Sequence, residues 1–267
     1  MKAMLLTNLP VWQLFLLVVV CPMILAGASL LIVRHWMKRP EDEEHNILVT
    51  GMFAAVSLIY TVMLAFLIIS VWTNYMAATQ SVESESAALV TVARDAEILP
   101  EPQRSEVLDS LHNYTEYVVN NEWGMMRQGV NERQVSSQQA LYSTNDLWIV
   151  YRNIPASAMT SAVSSEMLSN LDQLSEQRVM RLTASQDSLP EIFWFVLILD
   201  AIITVGFSFI LRVKDIRLHL GMVLLLTCTL TLCLWLIILI NDPFTGSVQV
   251  SSDPFRYALD VINALPR

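Results

Sequence analysis

The chain has 267 residues, 54% of them hydrophobic and only 15% charged, with a formal net charge of −9. A soluble globular chain carries about 25% charged residues, so this balance excludes an ordinary soluble domain. The acidic excess argues against nucleic acid as a partner, because phosphate backbones select basic surfaces.

Four stretches are almost free of charge: Val11 to Val33, Ile47 to Val71, Ile192 to Leu211 and Leu218 to Ile240. A helix needs about 20 apolar residues to cross a hydrocarbon core of about 30 Å, and each stretch reaches that length. The first begins after Lys2, and Ala26-Gly27-Ala28 resembles a cleavage site. Its apolar run continues to Val33, beyond the roughly 7–15 residues of a signal core, so it reads as a retained span, with cleavage as the alternative. Cys21, Cys228 and Cys233 lie inside the spans without metal-ligand spacing and read as small apolar residues.

The loop after span one carries Arg34, Lys38 and Arg39 ahead of an acidic run from Glu41 to Glu44, and the loop after span three carries Arg212, Lys214 and Arg217. Short basic loops stay in the cytoplasm, and acidic residues count little for orientation. The N-terminus, middle domain and C-terminus are therefore expected outside. Trp12, Trp72, Trp194 and Trp235 fall near the outer ends of the spans and Trp36 at an inner end, the headgroup levels that indole prefers.

Between spans two and three the sequence reads as helix. Span two is expected to run straight out of the membrane, with Val82, Leu89 and Ala96 at seven-residue steps beside Ala78, Glu85 and Val92, and to stop at Leu99-Pro100. A second helix is expected from about Glu101 to Trp123 with Val107, Leu108, Leu111, Tyr114 and Val118 inward. A third, weaker segment covers Gln134 to Val150. A fourth follows Pro155, with Val163, Met167, Leu171, Leu174 and Arg178 along one seam, and leads to Pro190. The expected fold is an all-α membrane protein with four transmembrane helices in two hairpins flanking an antiparallel helical bundle domain. Its parts are 1–46 (first span and cytoplasmic loop), 47–73 (second span), 74–190 (extramembrane bundle), 191–240 (spans three and four) and 241–267 (C-terminal tail).

Several positions together resemble a bacterial family of four-span proteins of unknown function known as bestrophin-like. From span two onward these are Trp72, Tyr75, Ala78, Val82, Glu85, Leu89, Arg94, Leu99 and Pro100. Glu122 and Trp123 follow, then Arg178 and Arg181, then Leu189, Pro190 and Trp194, and finally Asp242, Pro243, Phe244, Gly246 and Phe255. Two positions depart from the pattern: Asp200 stands in place of a small residue, and Gly124 in place of the proline after Glu-Trp. The name implies a distant likeness to bestrophins, pentameric anion channels whose large helical domain is cytosolic, whereas the loop charges here put that domain outside.

The candidate functional residues fall into three sets. Asp200 near the middle of span three and the stripe of Thr50, Ala54, Ser57, Thr61 and Ala65 on span two are the intramembrane polar groups. A central acid is costly and faces a bundle interior or water, so Asp200 reads equally as part of an ion path or as a neutral acid bonded to a hydroxyl such as Thr61 or Thr229. The stripe reads more readily as close helix packing than as a pore wall. Glu85, Arg94, Glu122, Arg178 and Arg181 form the second set, a charge network that fixes helix register or, as the lesser reading, binds an ion. Asp242, Pro243, Phe244 and Gly246 form the third, a turn that folds the tail back onto the domain.

No glycine-rich phosphate loop, paired metal motif or nucleophile–base pair is evident. The chain is expected to be a non-enzymatic multi-pass protein of a bacterial inner membrane, without cofactor. Its expected partners are the lipid bilayer, further copies of itself as a homo-oligomer, and an inorganic ion. The resemblance implies an oligomeric ion channel, with a membrane-anchored interaction or sensing module as the alternative.

Overall fold

A computed structural model describes residues 9–36, 43–129, 141–155 and 160–266. Lys2, Lys38, Arg39, Glu41, Asp42 and the stretch 134–140 of the expected third segment lie outside the described residues. Regular structure among the described residues is helical throughout. The chain divides into two compact units, one of residues 1–73 and 188–241, the other of 74–187 and 242–267. The C-terminal segment thus belongs to the second unit.

The first unit holds the four helices long and apolar enough to cross a membrane. Helix α1 runs Val11–Trp36. Its turn at Leu16–Val20 is π-helical, immediately before Pro22. Proline has no N–H to give the carbonyl four residues back and crowds it, and a widened turn is one way a helix absorbs such an interruption. Helix α2 runs Glu43–Asp95, 53 residues, or about 80 Å. Its first part supplies span two to this unit, and from Asn74 onward it belongs to the second. Helices α7 (Glu191–Ile210) and α8 (Ile216–Ile240) are spans three and four. Within this unit α8 packs along α1 and α7, with Ala26, Leu30 and Val223 buried at the centre of one contact.

Both ends of the α7–α8 hairpin are tied by side chains. Arg34 Nη1 and Nη2 donate to the carbonyls of Val213 and Lys214 at 2.9 and 2.7 Å. The Asn46 amide donates to the Arg212 carbonyl at 2.8 Å, and its carbonyl accepts from the Arg212 N–H at 2.9 Å. Buried His219 places Nε2 2.9 Å from the Ser208 carbonyl, one of the four that the end of α7 leaves without helical partners. At the far end, Asn241 Oδ1 accepts from the Leu189 N–H at 3.0 Å. The two basic loops therefore share one face of this unit.

The second unit is an antiparallel bundle. It contains the rest of α2, closed by a 3₁₀ turn at Ala96–Ile98. Helix α3 (Gln103–Tyr117) passes through a π-helical turn at Val118–Glu122 into α4 (Trp123–Arg127). Helices α5 (Leu141–Asn153), α6 (Ser161–Ala184) and α9 (Asp253–Ala264) complete it. Helix α3 packs on one side against α5 and on another against α9. A 2.8 Å contact between His112 Nδ1 and Asn263 Oδ1 joins α3 to α9, and Ser86 Oγ of α2 donates to the Pro254 carbonyl of α9 at 2.6 Å.

The interior follows alternating four- and three-residue steps. On α2 and the turn that closes it these are Ala78, Val82, Glu85, Leu89, Val92, Ala96 and Leu99, all fully buried. On α6 they are Met167, Leu171, Leu174, Arg178 and Arg181. Such a seam brings one stripe of each helix to a common core, and here the stripes carry charge among the apolar residues.

Candidate functional site

The charged seam positions meet. Glu85 lies on α2, Arg178 and Arg181 one turn apart on α6, and Glu122 at the end of the π turn between α3 and α4. That turn holds one residue more than an α-helical turn. A shift of one residue rotates a side chain by about 100°, so the wide turn sets which of its residues faces inward. The result is that Glu122 and Trp123, adjacent in sequence, are both buried.

Arg181 is the centre. It is fully buried, and its Nε and Nη2 donate to Glu85 Oε2 and Oε1 at 2.6 and 3.2 Å, a bidentate pair. Nη2 also reaches Glu122 Oε2 at 2.8 Å, and Nη1 lies 3.4 Å from the Met126 sulfur. Arg178 Nη2 donates to Glu122 Oε1. The Tyr114 hydroxyl donates to Glu85 Oε1 at 2.5 Å. The faces of the guanidinium groups are covered as well: Arg181 lies 5.8 Å from the Trp123 ring centroid and 5.3 Å from that of Phe255, and Arg178 lies 5.7 Å from that of Tyr114.

The formal charges of the four groups sum to zero. Burial pushes the Glu122 carboxyl up, but Arg181 and Arg178 outweigh it and bring it below the ordinary carboxylate range. Burial favours loss of the Arg181 proton, yet Glu85 and Glu122 raise its affinity well above the usual value. Burial and then Glu85 raise Tyr114, so its phenol stays protonated as a donor. Among the described residues no group of three or more His, Cys, Asp or Glu has the makings of a metal site. The acceptors here are already engaged by arginine and tyrosine, so the arrangement is suited to fixing helix register rather than to chemistry.

The C-terminal turn joins this cluster. The Val250 N–H donates to the Pro243 carbonyl at 2.8 Å and the Thr245 N–H to that of Asp242 at 3.1 Å. Gly246 has φ 80°, which side-chain-bearing residues rarely adopt. The turn delivers Phe244, buried edge-on against Trp123 with ring centroids 5.7 Å apart, while Phe255 of α9 meets the same indole at 5.6 Å.

Of the five residues expected in the network, four meet and Arg94 does not. It is exposed, because nine residues beyond Glu85 is two and a half helical turns and faces the opposite way. Tyr114, Trp123, Met126 and Phe255 complete the cluster. Tyr114 was the legible one, a hydroxyl on an otherwise apolar seam.

The intramembrane candidates separate into two places. Thr50, Ala54, Thr61 and Ala65 are exposed on α2 and Ser57 is half-buried beside them. Asp200 is half-buried on α7, with Tyr60 of α2, fully buried, in its electrostatic reach. The hydroxyls of Thr61 and Thr229 donate instead to the carbonyls of Ser57 and Leu225, at 2.7 and 3.0 Å, and both residues are exposed.

Two tests follow from the cluster. Arg181→Met leaves two buried carboxylates against one guanidinium and should cost about 3–5 kcal/mol, read as a lowered thermal midpoint in detergent. Adding Glu85→Gln removes the surplus charge and should recover part of the loss. Because the Glu122 carboxyl is lowered in the fold, its contribution is present above the unfolded glutamate value of about 4.3 and lost as pH falls through the folded value. Melting midpoints should therefore fall below about pH 4, and by less in Glu122→Gln.

The chain matches the family model for the bestrophin-like domain over residues 20–255. No curated protein sequence matches it. Solved structures do. A bacterial bestrophin homologue from Klebsiella pneumoniae aligns with a TM-score of 0.69 at 14% identity, covering 92% of this chain and 99% of that one. A point variant of the Klebsiella protein aligns with a TM-score of 0.70 at 11% identity, covering 91% and 97%. A crystal structure described as a membrane protein aligns with a TM-score of 0.68 at 14% identity, covering 91% and 98%. At these identities the structures establish a shared all-α fold, and the family match spans most of the sequence: the chain belongs to the bestrophin-like family.

Proposed function

We propose that the chain assembles as an oligomeric ion channel in a bacterial inner membrane, with span two facing the conduction path, and that it is not an enzyme. The observation that carries this reading is the division of α2 into three faces. One is buried against its own unit and carries Val49, Tyr60, Leu64, Leu67 and Val71. A second is exposed and bulky, with Leu48, Met52, Ile59, Val62 and Phe66. The third is exposed but small and polar, with Thr50, Ala54, Thr61 and Ala65 and with Ser57 at its edge. At 100° per residue these faces lie roughly a third of a turn apart.

Bulky apolar residues suit lipid. A face of threonine, serine and alanine suits close backbone approach or contact with water, and the chain's own helices leave this one open. A ring of copies gives each face its place: the buried one against the protomer's own helices, the bulky one toward lipid or a neighbouring copy, the small polar one toward the axis. Hydroxyls solvate ions of either sign, and the stripe carries no formal charge, so this face by itself does not prescribe anion selectivity. Membership of the family supports the same reading, as does the fold shared with the Klebsiella bestrophin homologue.

Purified protein in planar bilayers should give discrete single-channel currents. Thr61→Phe should cut the unit conductance severalfold while mass photometry still finds the same oligomer. A wild-type chain that inserts as a monomer and stays silent at both voltage polarities would overturn the channel and favour the interaction module.

Orientation is a separate part of the proposal. The basic loops place Arg34, Arg212, Lys214 and Arg217 on one face, which the positive-inside rule assigns to the cytoplasm. Residues 74–187 then lie outside. In a chain with Cys21, Cys228 and Cys233 replaced, Glu97→Cys at an exposed position should react with an impermeant maleimide in intact cells. Reaction only after the inner face is opened would reverse the orientation.

A further inference from the structure

We propose that Asp200, Tyr60 and Thr204 form an intramembrane site for one monovalent cation, a proton or an alkali-metal ion, inside each protomer's own four-span bundle. Asp200 is the only acid in the four apolar stretches, and none of them contains a lysine or arginine. An ionised carboxylate at mid-span without a counter-charge is costly, so the group is occupied by something carrying a single positive charge. A divalent ion would leave an excess charge of the opposite sign in the same hydrocarbon.

The hydroxyls around it mark the site. Thr204 follows Asp200 by one turn on the same face of α7. It is fully buried, and its hydroxyl has no partner. That is unusual for this chain: Thr61, Thr227, Thr229 and Thr231 each donate to the carbonyl four residues back. The carbonyl that Thr204 would use by this rule is that of Asp200. Tyr60 comes from α2, is also fully buried, and its hydroxyl likewise has no partner. Asp200 and Cys233 both act on that hydroxyl electrostatically. A carboxylate and two hydroxyl oxygens are hard ligands, suited to a proton or an alkali ion and not to a soft metal.

The surrounding titratable groups are few. Helix α2 contributes Tyr60 and α8 contributes Cys233, while α1 has none between Cys21 and Arg34. His219 sits two turns further along, engaged with the Ser208 carbonyl. Tyr60 lies on the buried face of α2 and the threonine stripe on an exposed one, so the site stands whether or not the protein conducts.

Dicyclohexylcarbodiimide, an apolar reagent that couples to protonated carboxyls in membranes, tests this on the full chain in liposomes, with peptide mass spectrometry locating the label. Asp200 should be labelled at mildly acidic pH, and labelling should vanish in Asp200→Asn. Loss of labelling on adding sodium or potassium at constant pH identifies an alkali-ion site. Loss only as pH rises, indifferent to either salt, identifies a proton site. Tyr60→Phe, which takes one hydroxyl oxygen away from the occupied site, should shift the midpoint of that protection by about tenfold. Labelling that is constant across pH and salt would mean a permanently neutral structural acid and would overturn the proposal. So would no labelling of folded protein at acid pH, and an unshifted midpoint in Tyr60→Phe would remove Tyr60 from the site.

Discussion

The structure of the second unit depends on one constraint: four formal charges in a dry layer have to balance. Taking a carboxylate or guanidinium out of water costs several kcal/mol per ion even after relaxation. The cost is offset only when each ion is paired and hydrogen-bonded. Glu85 and Glu122 accept from Arg181 together, Arg178 returns to Glu122, and Tyr114 fills a remaining lone pair of Glu85. Each charge sits on a different helical segment or a different turn, so the balance holds at one register. A slip of one residue in α2, α6 or the π turn rotates a charge by about 100° away from its partner. Apolar seams tolerate such slips far better than this one does. That gives the cluster a specifying role beyond its modest net stabilisation, the use for which buried polar groups are best attested.

The spans follow the opposite logic. Their apolar stretches hold one acid and no lysine or arginine, and buried His219 is engaged with the Ser208 carbonyl, so the proposed site closes its charge balance with a cation from outside the protein. In the bundle the counter-charge is a side chain, and Arg181 is permanently part of the fold. In the membrane the counter-charge has to come from solution and is exchangeable. Two acids of the same chain, fully buried Glu85 and half-buried Asp200, thus have different consequences. One fixes a structure and the other opens a binding equilibrium.

Much of the fold was legible because hydropathy and period carry it. The four spans, the break at Leu99-Pro100 and the seams on α2 and α6 all rest on burial patterns that composition displays. What was not legible are features one residue wide. The π turn at Val118–Glu122 changes hydrogen-bond register without changing the pattern of apolar residues, so the sequence read as an unbroken helix through Trp123. Arg94 shares residue type with the network, but its place nine residues beyond Glu85 puts it on the opposite face. Thr61 and Thr229 both bond carbonyls of their own helices, and Tyr60, one position before Thr61, is the residue turned inward. Span two is apolar on two of its three faces, so periodicity did not distinguish the buried one.

The ties between the basic loops bear on orientation in a way that charge counting alone does not. Arg34 and Asn46 flank the first loop, and both bind backbone of the 211–215 segment. The two loops therefore cannot be assigned to opposite faces, and their cations act on topology as one group. Arg34 also contributes structurally, since its guanidinium meets carbonyls just past the end of α7, where the helix dipole favours positive charge. A substitution there weakens the orientation signal and the hairpin contact together. Orientation is better read from Lys214 and Arg217, and removing those two charges separates the positive-inside contribution from the Arg34 and Asn46 ties.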